Sequence, residues 1–426
     1  MILTRHYHAL LVIACGLIQT APSFAANPPE LAVGSGGLID VFFSPPEFVN
    51  VQLSPAGSHL AFLREVDGRH ILATYDFKTR KTAIAQPPPG RRVASYDWVA
   101  PDRLLFLYIQ DQLKRERPLD FDLRHEEVNI RNLYLGHYVA DSSLKRAEPM
   151  PNLQVIYEMV DPLPHNPSCT YLTEQSHDNF YGPLYRYDPS RNKIELQERN
   201  PGRLLYWHAD NNGKVRVATF AEDAGQSTLH YRATEAATWE RLNLPAHARF
   251  VAYAADGQYL LISHPDPATG RFVLQTYDLQ KFQFVGESVS NPLCDIDPFP
   301  IRDPRTGVLW GLSYETDKEQ FIWFAPQLRQ IQATVAGAFP GAIVSPLGVT
   351  HSDQIVVAVY SDVLPLQYYS LDPKAGHLQL LLDSRPKVHQ QRLSPMRPIS
   401  FKSGDGTELH GYLTLPTSRP NARQLP

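Results

Sequence analysis

Along most of this chain, apolar and polar positions alternate in short runs that Gly, Asp or Pro brings to an end, the period-two pattern of half-buried strands. One order of parts recurs: an apolar strand, a Gly or Asp turn, a second apolar strand, and a third strand closing on Tyr-Asp with a polar turn behind it. The first copy is the clearest, with the turn Leu53-Ser54-Pro55-Ala56-Gly57, a strand over 58–64, the turn Asp67-Gly68, and a strand over 71–76. Later copies centre on 103–108, 154–159, 215–220, 259–263, 308–312 and 354–360. Their third strands end near Asp76, Asp141, Asp188, Thr234, Asp278, Pro326 and Asp372, roughly 45 to 65 residues apart, in or a little above the ~40 to 50 expected of propeller blades.

A single blade of this kind cannot bury both faces of its sheet, whereas radial packing of neighbours can. The expected fold class is therefore all-β, a seven-bladed β-propeller over residues 47–395. Six or eight blades stay open if the charged insertion at 110–127 divides a long blade differently. No long stretch shows sustained helical periodicity. The 37 prolines, 24 glycines, 21 tyrosines and 19 phenylalanines agree with many short strands and turns. A net charge of -4 with 20% charged residues supplies no basic field for a phosphate backbone, so no nucleic acid partner is expected.

Residues 1–25 read as a signal peptide. Arg5, His6 and His8 form a weakly basic start, 9–18 is an apolar run, and Ser23-Phe24-Ala25 offers small residues at the positions a signal peptidase reads. The expectation is an exported protein, periplasmic or extracellular, beginning at Ala26 or Asn27. Lipoprotein processing at Cys15 is the rival, with a very short apolar run before it. Spanning a bilayer needs about 20 apolar residues, and no membrane span is expected. Residues 26–46 form a polar, Pro/Gly-rich lead in which Gly34-Ser35-Gly36-Gly37 reads as flexible and Asp40-Val41-Phe42-Phe43 as the first buried material.

Residues 396–416 read as a hairpin. Ile399 and Phe401 share a face of the outgoing strand, Ser403-Gly404-Asp405-Gly406 turns the chain, and Leu409, Tyr412, Leu413 and Leu415 lie on a return strand that Pro416 ends. The passage Ser400-Phe401-Lys402-Ser403-Gly404-Asp405-Gly406, with Gly411-Tyr412-Leu413-Thr414-Leu415-Pro416 behind it, resembles the entry to the α/β-hydrolase domain in the prolyl oligopeptidase family of serine peptidases, especially its acylaminoacyl-peptidase-like branch. The resemblance implies a propeller that gates a hydrolase active site, admitting short peptides, with residues 396–426 as the truncated start of the hydrolase domain.

Acyl transfer by a triad needs a nucleophile on a strand-to-helix elbow, an imidazole, an orienting carboxylate and oxyanion donors. No Gly-x-Ser-x-Gly occurs in the 426 residues, and Gly34-Ser35-Gly36-Gly37 has the wrong spacing. The family's active site would lie beyond residue 426. No catalytic, cofactor-binding or metal residue is assigned, no cofactor is expected, and no activity is expected of this chain alone. Peptide substrates would be its partners once it is joined to a hydrolase domain; a separate hydrolase chain docking on residues 397–416 is a further reading. The alternative from another class is a free-standing periplasmic propeller, similar to that of TolB-like proteins, acting as a binding or assembly module. An apolar hairpin without a partner sheet counts against it.

Other residues that could carry chemistry have structural readings beside them. Ser361-Asp362 and Asp372-Pro373 match the family's pattern in the final blade but read as turn and strand-end positions. Asp295, Asp297 and Asp303 could attract a hard cation; without the glycine and closing Glu of a calcium loop they read as a solvated acidic turn. His165, Cys169 and His177 fall short of the four ligands of a structural zinc site. Tyr157, Tyr171, Tyr181, Tyr185 and Tyr187 read as strand packing rather than a binding cage. Cys169 and Cys294 read as independent thiols in non-adjacent units, with pairing in an oxidising compartment left open.

Overall fold

The computed structural model describes residues 35–110, 134–152, 155–161, 163, 166, 168–175, 181–210, 212–254 and 257–417. Seven antiparallel sheets follow one another along the chain, each with its strands in sequence order. Blade 1 holds β1 (Phe48–Leu53), β2 (His59–Val66), β3 (Arg69–Asp76) and β4 (Lys81–Ile84). Blade 2 holds β5 (Arg91–Ala100), β6 (Arg103–Gln110), β7 (Tyr134–Asp141) and β8 (Ala147–Pro149). Blade 3 has β9 (Tyr157–Asp161), β10 (Thr170–Gln175), β11 (Tyr181–Asp188) and β12 (Lys193–Glu198). Next come β13 (Leu204–Ala209), β14 (Val215–Ala221), β15 (Ser227–Tyr231) and β16 (Glu240–Arg241) as blade 4. Blade 5 is β17 (Arg249–Tyr253), β18 (Tyr259–Pro265), β19 (Phe272–Asp278) and β20 (Gln283–Val289). Blade 6 has three strands, β21 (Phe299–Arg302), β22 (Leu309–Glu315) and β23 (Glu319–Trp323). Blade 7 closes the ring with β24 (Ile343–Val349), β25 (Ile355–Tyr360), β26 (Gln367–Asp372) and β27 (His377–Asp383).

The recurrent Asp residues have a common task. Asp76, Asp141, Asp188, Asp278 and Asp372 each end a third strand, and each carboxylate accepts the backbone N–H two residues on at 2.8 to 2.9 Å. Such a side chain mimics a backbone turn and so fixes the reversal into the fourth strand. At the turn from first to second strand, the Ser54 hydroxyl accepts the N–H groups of Ser58 and His59, and Asp210 accepts those of Asn212 and Lys214.

The core is divided among the seams between blades. Leu63, Leu72 and Val93 with Phe106 fill the seam of blades 1 and 2; Val99 and Leu105 meet Tyr157, Leu172 and Tyr187 at the next. Each fully buried Leu or Phe contributes about 1.5–3 kcal/mol relative to exposure, and no blade could bury these faces alone. The first and last blades meet without exchanging a strand. Leu53, Leu60 and Phe62 pack on Val356, the Glu47 N–H donates to the Ser384 carbonyl at 2.8 Å, and the His351 N–H to Gly57 at 2.9 Å.

Two helices depart from the sequence reading. Part of the expected flexible lead is helical, as α1 (Ser35–Phe43), and its Phe42 and Phe43 are exposed rather than buried, Phe43 by 84%. In blade 6, α2 (Pro326–Ala338) stands where a fourth strand would be. Leu328 packs on Trp310 and Trp323, while Val335 packs on blade 7. A short helix α3 (Pro386–His389) then leads to the hairpin of β28 (Met396–Lys402) and β29 (Glu408–Thr414). Residues 1–34, with the expected signal peptide and Cys15, and the residues 111–133, with most of the charged insertion, lie outside the described residues.

Candidate functional site

Antiparallel order places the ends of every blade on two faces. The entry face carries the links between blades and the turns from second to third strand; the opposite face carries the other turns. The fourth strands are largely exposed on the rim, and first strands of neighbouring blades approach one another around the axis.

The exposed large apolar side chains gather on the entry face. Leu38, Ile39, Phe42 and Phe43 of α1 lie there, as do Val289, Leu293 and Phe299 on the link into blade 6 and Val363 on the β25–β26 turn. The hairpin adds Met396, Ile399, Phe401, Leu409, Tyr412 and Leu413. On the opposite face the corresponding residues are Phe282, Val308 and Phe324. Arg385, next to α3, donates to the carbonyls of Phe42 and Ser44 and so ties α1 to the root of the hairpin. The hairpin itself is held by the Met396 N–H on Asp362 Oδ2 at 2.5 Å and by the Tyr412 hydroxyl on the Asp317 carbonyl at 2.9 Å.

The channel between the first strands is polar. Gln52 on β1 reaches the Tyr96 carbonyl at 3.5 Å and also bonds Asp97 on β5. Burial pushes the Asp97 carboxyl up to about 6; the Gln52 bond opposes the shift, and the charge of Glu158 on β9 adds to it. Near the opposite face, burial of Arg302 on β21 disfavours its charge while Asp161, on β9 of a non-adjacent blade, favours it. His208 on β13 is stacked on Phe250 at 4.1 Å, bonds the Thr219 hydroxyl, and is pushed down to about 3 by burial. Three carboxyls, of Asp97, Glu158 and Asp161, thus stand on the first strands of blades 2 and 3, and the guanidinium of Arg302 on that of blade 6.

The residues singled out in the sequence do not converge. The Ser361 hydroxyl accepts the N–H groups of Val363 and Leu364, and Asp372 caps its turn, both as expected; Asp362 has the further task of holding Met396. Asp295 accepts the Phe272 N–H, Asp297 pairs with Arg249 at 2.6 Å, and Asp303 accepts the Arg305 N–H. Among the described residues no three His, Cys, Asp or Glu side chains cluster as a metal site. Cys169 is buried with its sulfur 3.1 Å from Arg186 Nε, and it and Cys294 are free thiols; His165 and His177 lie outside the described residues. Tyr157, Tyr171 and Tyr187 are buried in blade packing, Tyr185 donates to Glu174, and the Tyr181 side chain lies outside the described set. Ser58 with His59 and Ser400 with His410 make serine–imidazole contacts of 2.8 and 2.9 Å. Neither imidazole has a carboxylate hydrogen-bonded to its other nitrogen among the described residues, so neither pair has the geometry of a triad.

Comparison with known proteins finds the same fold. A solved structure from a study of two prolyl endopeptidases superposes with a TM-score of 0.54 at 12% identity, covering 86% of this chain and 54% of that one. The chain shares its propeller fold with that structure. In sequence, the chain is 24% identical over 439 aligned residues to dipeptidyl aminopeptidase BIII of Pseudoxanthomonas mexicana, covering 97% of this chain. It spans 59% of the length of that relative. No family model matches the chain.

Proposed function

We propose that this chain is the substrate-gating propeller of an exported serine peptidase, and that its entry face seats the hydrolase module that carries the chemistry. The observation that carries this reading is the apolar surface shared by α1, the blade 6 link and the hairpin. A monomeric soluble protein rarely leaves so much apolar surface on one side, and such patches mark interaction sites. The polar channel opens beneath that surface, so a peptide threading it in extended form would arrive at the seated module while a folded protein would be held outside. By likeness to the Pseudoxanthomonas relative, the assembled enzyme would be a dipeptidyl aminopeptidase. Residues 1–25 would direct it out of the cytoplasm. The hydrolase is either continuous with β29 or a separate chain docking on residues 397–416.

The test begins with the coding DNA beyond the codon for Pro426, over roughly 900 bases, about what a hydrolase domain requires. A Gly-x-Ser-x-Gly elbow with later Asp and His, in the same frame or an adjoining gene, is expected. The encoded hydrolase, assayed with and without this propeller, should cleave short peptides in both cases and folded proteins only without it. Equal cleavage of folded proteins in both cases would remove the gating role, and DNA encoding nothing of the kind would remove the peptidase reading.

A further inference from the structure

Blade 1 carries a pocket apart from the channel and the hairpin. The chain reverses between β2 and β3 through Asp67 and Gly68, whose φ angles of +50° and +76° make a tight two-residue turn and pin the register. In that register Arg64 stands opposite Ile71, and Val66 opposite Arg69. Residues two apart on a strand share a face of the sheet, as do directly opposed residues. All four side chains therefore lie on one face, and Ile84 of β4, opposed to Ala73, joins them.

This face is the one turned towards blade 7. Leu60, Phe62 and Ala73 on it are buried against Val356, whereas none of the residues lining the pocket comes from blade 7. Beyond Phe62 the face opens into a cavity of about 410 Å³, within the ~300–1,000 Å³ of small-molecule sites. Its floor is apolar, made by Val66, Ile71, Ile84 and Pro87. Arg64 and Arg69 stand beside that floor and outnumber the single lining carboxylate, that of Asp67. The Arg64 side chain is exposed and has no hydrogen-bond or ion-pair partner among the described residues. The two arginines hold diagonal positions on neighbouring strands, ~7–8 Å apart. An anion between them relieves their repulsion, and a planar guanidinium meets a carboxylate by two parallel hydrogen bonds.

We infer that this pocket binds a carboxylate borne on an apolar body of about dipeptide size, with the carboxylate on Arg64 and the body on the floor of Val66, Ile71 and Ile84. A peptide carboxyl end with an apolar last side chain has this chemistry, and so does a free fatty acid. The choice of the peptide rests on the peptidase reading; the pocket itself does not. It is built from β2, β3 and the end of β4, outward of the first strand, so its ligand does not compete with a peptide in the channel.

The experiment is a calorimetric titration of the purified chain with N-acetyl-Ala-Leu, its carboxyl-terminal amide, octanoate and inorganic phosphate. The peptide acid should bind at least tenfold more tightly than the amide, which has no charge for Arg64, and than phosphate, which has no apolar body for the floor. Arg64→Gln should raise the Kd for the acid at least tenfold, and Arg64→Lys by less, because an ammonium keeps the charge without the fork. Val66→Trp, which fills the cavity, should abolish binding. Thermal midpoints matching the parent chain establish that each variant keeps its propeller. Equal affinity for acid and amide overturns the inference, as does binding indifferent to Arg64→Gln and Val66→Trp, or no binding of either the peptide acid or octanoate. Octanoate bound more tightly than the peptide acid overturns the peptide as the source and assigns the pocket to a fatty acid. The titration needs no hydrolase, so its failure leaves the gating role standing, and failure of gating leaves the pocket standing.

Discussion

Arg232 and Glu198 meet in a two-pronged ion pair across the seam between blades 3 and 4, with Nη1 and Nη2 at 3.0 and 2.7 Å from the two carboxylate oxygens. Arg232 is only 5% exposed, its Nε donates to the Val215 carbonyl at 3.0 Å, and its guanidinium lies 4.2 Å from the Trp239 ring. Removing one member of such a pair leaves the other uncompensated, which costs about 3–5 kcal/mol when both are buried. Because Glu198 keeps some access to water, Arg232→Ala should fall at the lower end of that range in a denaturant titration. Arg232→Lys should recover less than half of the loss, since an ammonium cannot make the planar fork or the stack.

Asp97 sets a pH dependence of unusual sign for a carboxylate. Its native value near 6 lies above the ordinary ~3.9, so between these values the folded chain binds more protons than the unfolded one. Stability then falls as pH rises through this window, by about 2–3 kcal/mol in total. Asp97→Asn should stabilise the protein by that order at pH 8 and by almost nothing at pH 4. A gain of equal size at both pH values would mean that the carboxyl is not held neutral by burial.

His137 acts in the opposite direction. It is buried on β7, its ring is 5.9 Å from Tyr157, its Nδ1 has no hydrogen-bond partner, and burial pushes it down to about 4. The unfolded ring takes up a proton near 6.5, so stability is full above that value and is lost as pH falls towards 4, by about 3 kcal/mol. His137→Phe should flatten this acid limb in thermal melts between pH 7 and 4.

The closure of the ring makes a further prediction. Gly57 has φ +68°, and a Cβ there would lie 2.7 Å from the Val349 carbonyl oxygen and 2.8 Å from the His351 nitrogen, across the seam of blades 1 and 7. Gly57→Ala meets both a left-handed backbone and main-chain atoms that cannot yield, so a loss above ~1 kcal/mol is expected. Limited proteolysis should place the first new cuts beside this seam. A cost confined to a few tenths of a kcal/mol would mean that the two blades separate freely.

The repeat was legible because the residues that carry it act locally. Asp76, Asp188, Asp278 and Asp372 bind backbone groups two or three residues on, so their chemistry is written beside them in the chain. Alternation located most second and third strands for the same reason. Helix α2 was missed where Leu328, Ile331 and Val335 repeat at helical spacing behind a proline suited to a helix start, a signal diluted by the polar residues between them. In α1, Phe42 and Phe43 read as buried because apolarity alone does not say whether a partner is present. The channel could not be read at all, since Gln52, Asp97, Glu158 and Arg302 come from four blades and only ring closure brings them together.

The hairpin is the part of the structure least tied to the rest. Among the described residues two polar contacts hold it, from Met396 to Asp362 and from Tyr412 to Asp317, and none of its side chains enters a core cluster. Of the described residues, deleting 397–426 removes exposed apolar surface and no member of a core cluster. The shortened chain should keep the thermal midpoint of the propeller and stay soluble at higher concentration. Melting at a markedly lower temperature would mean that the hairpin belongs to the propeller's own cooperative unit. The resemblance of residues 396–416 to a hydrolase entry would then no longer support a module seated on this face.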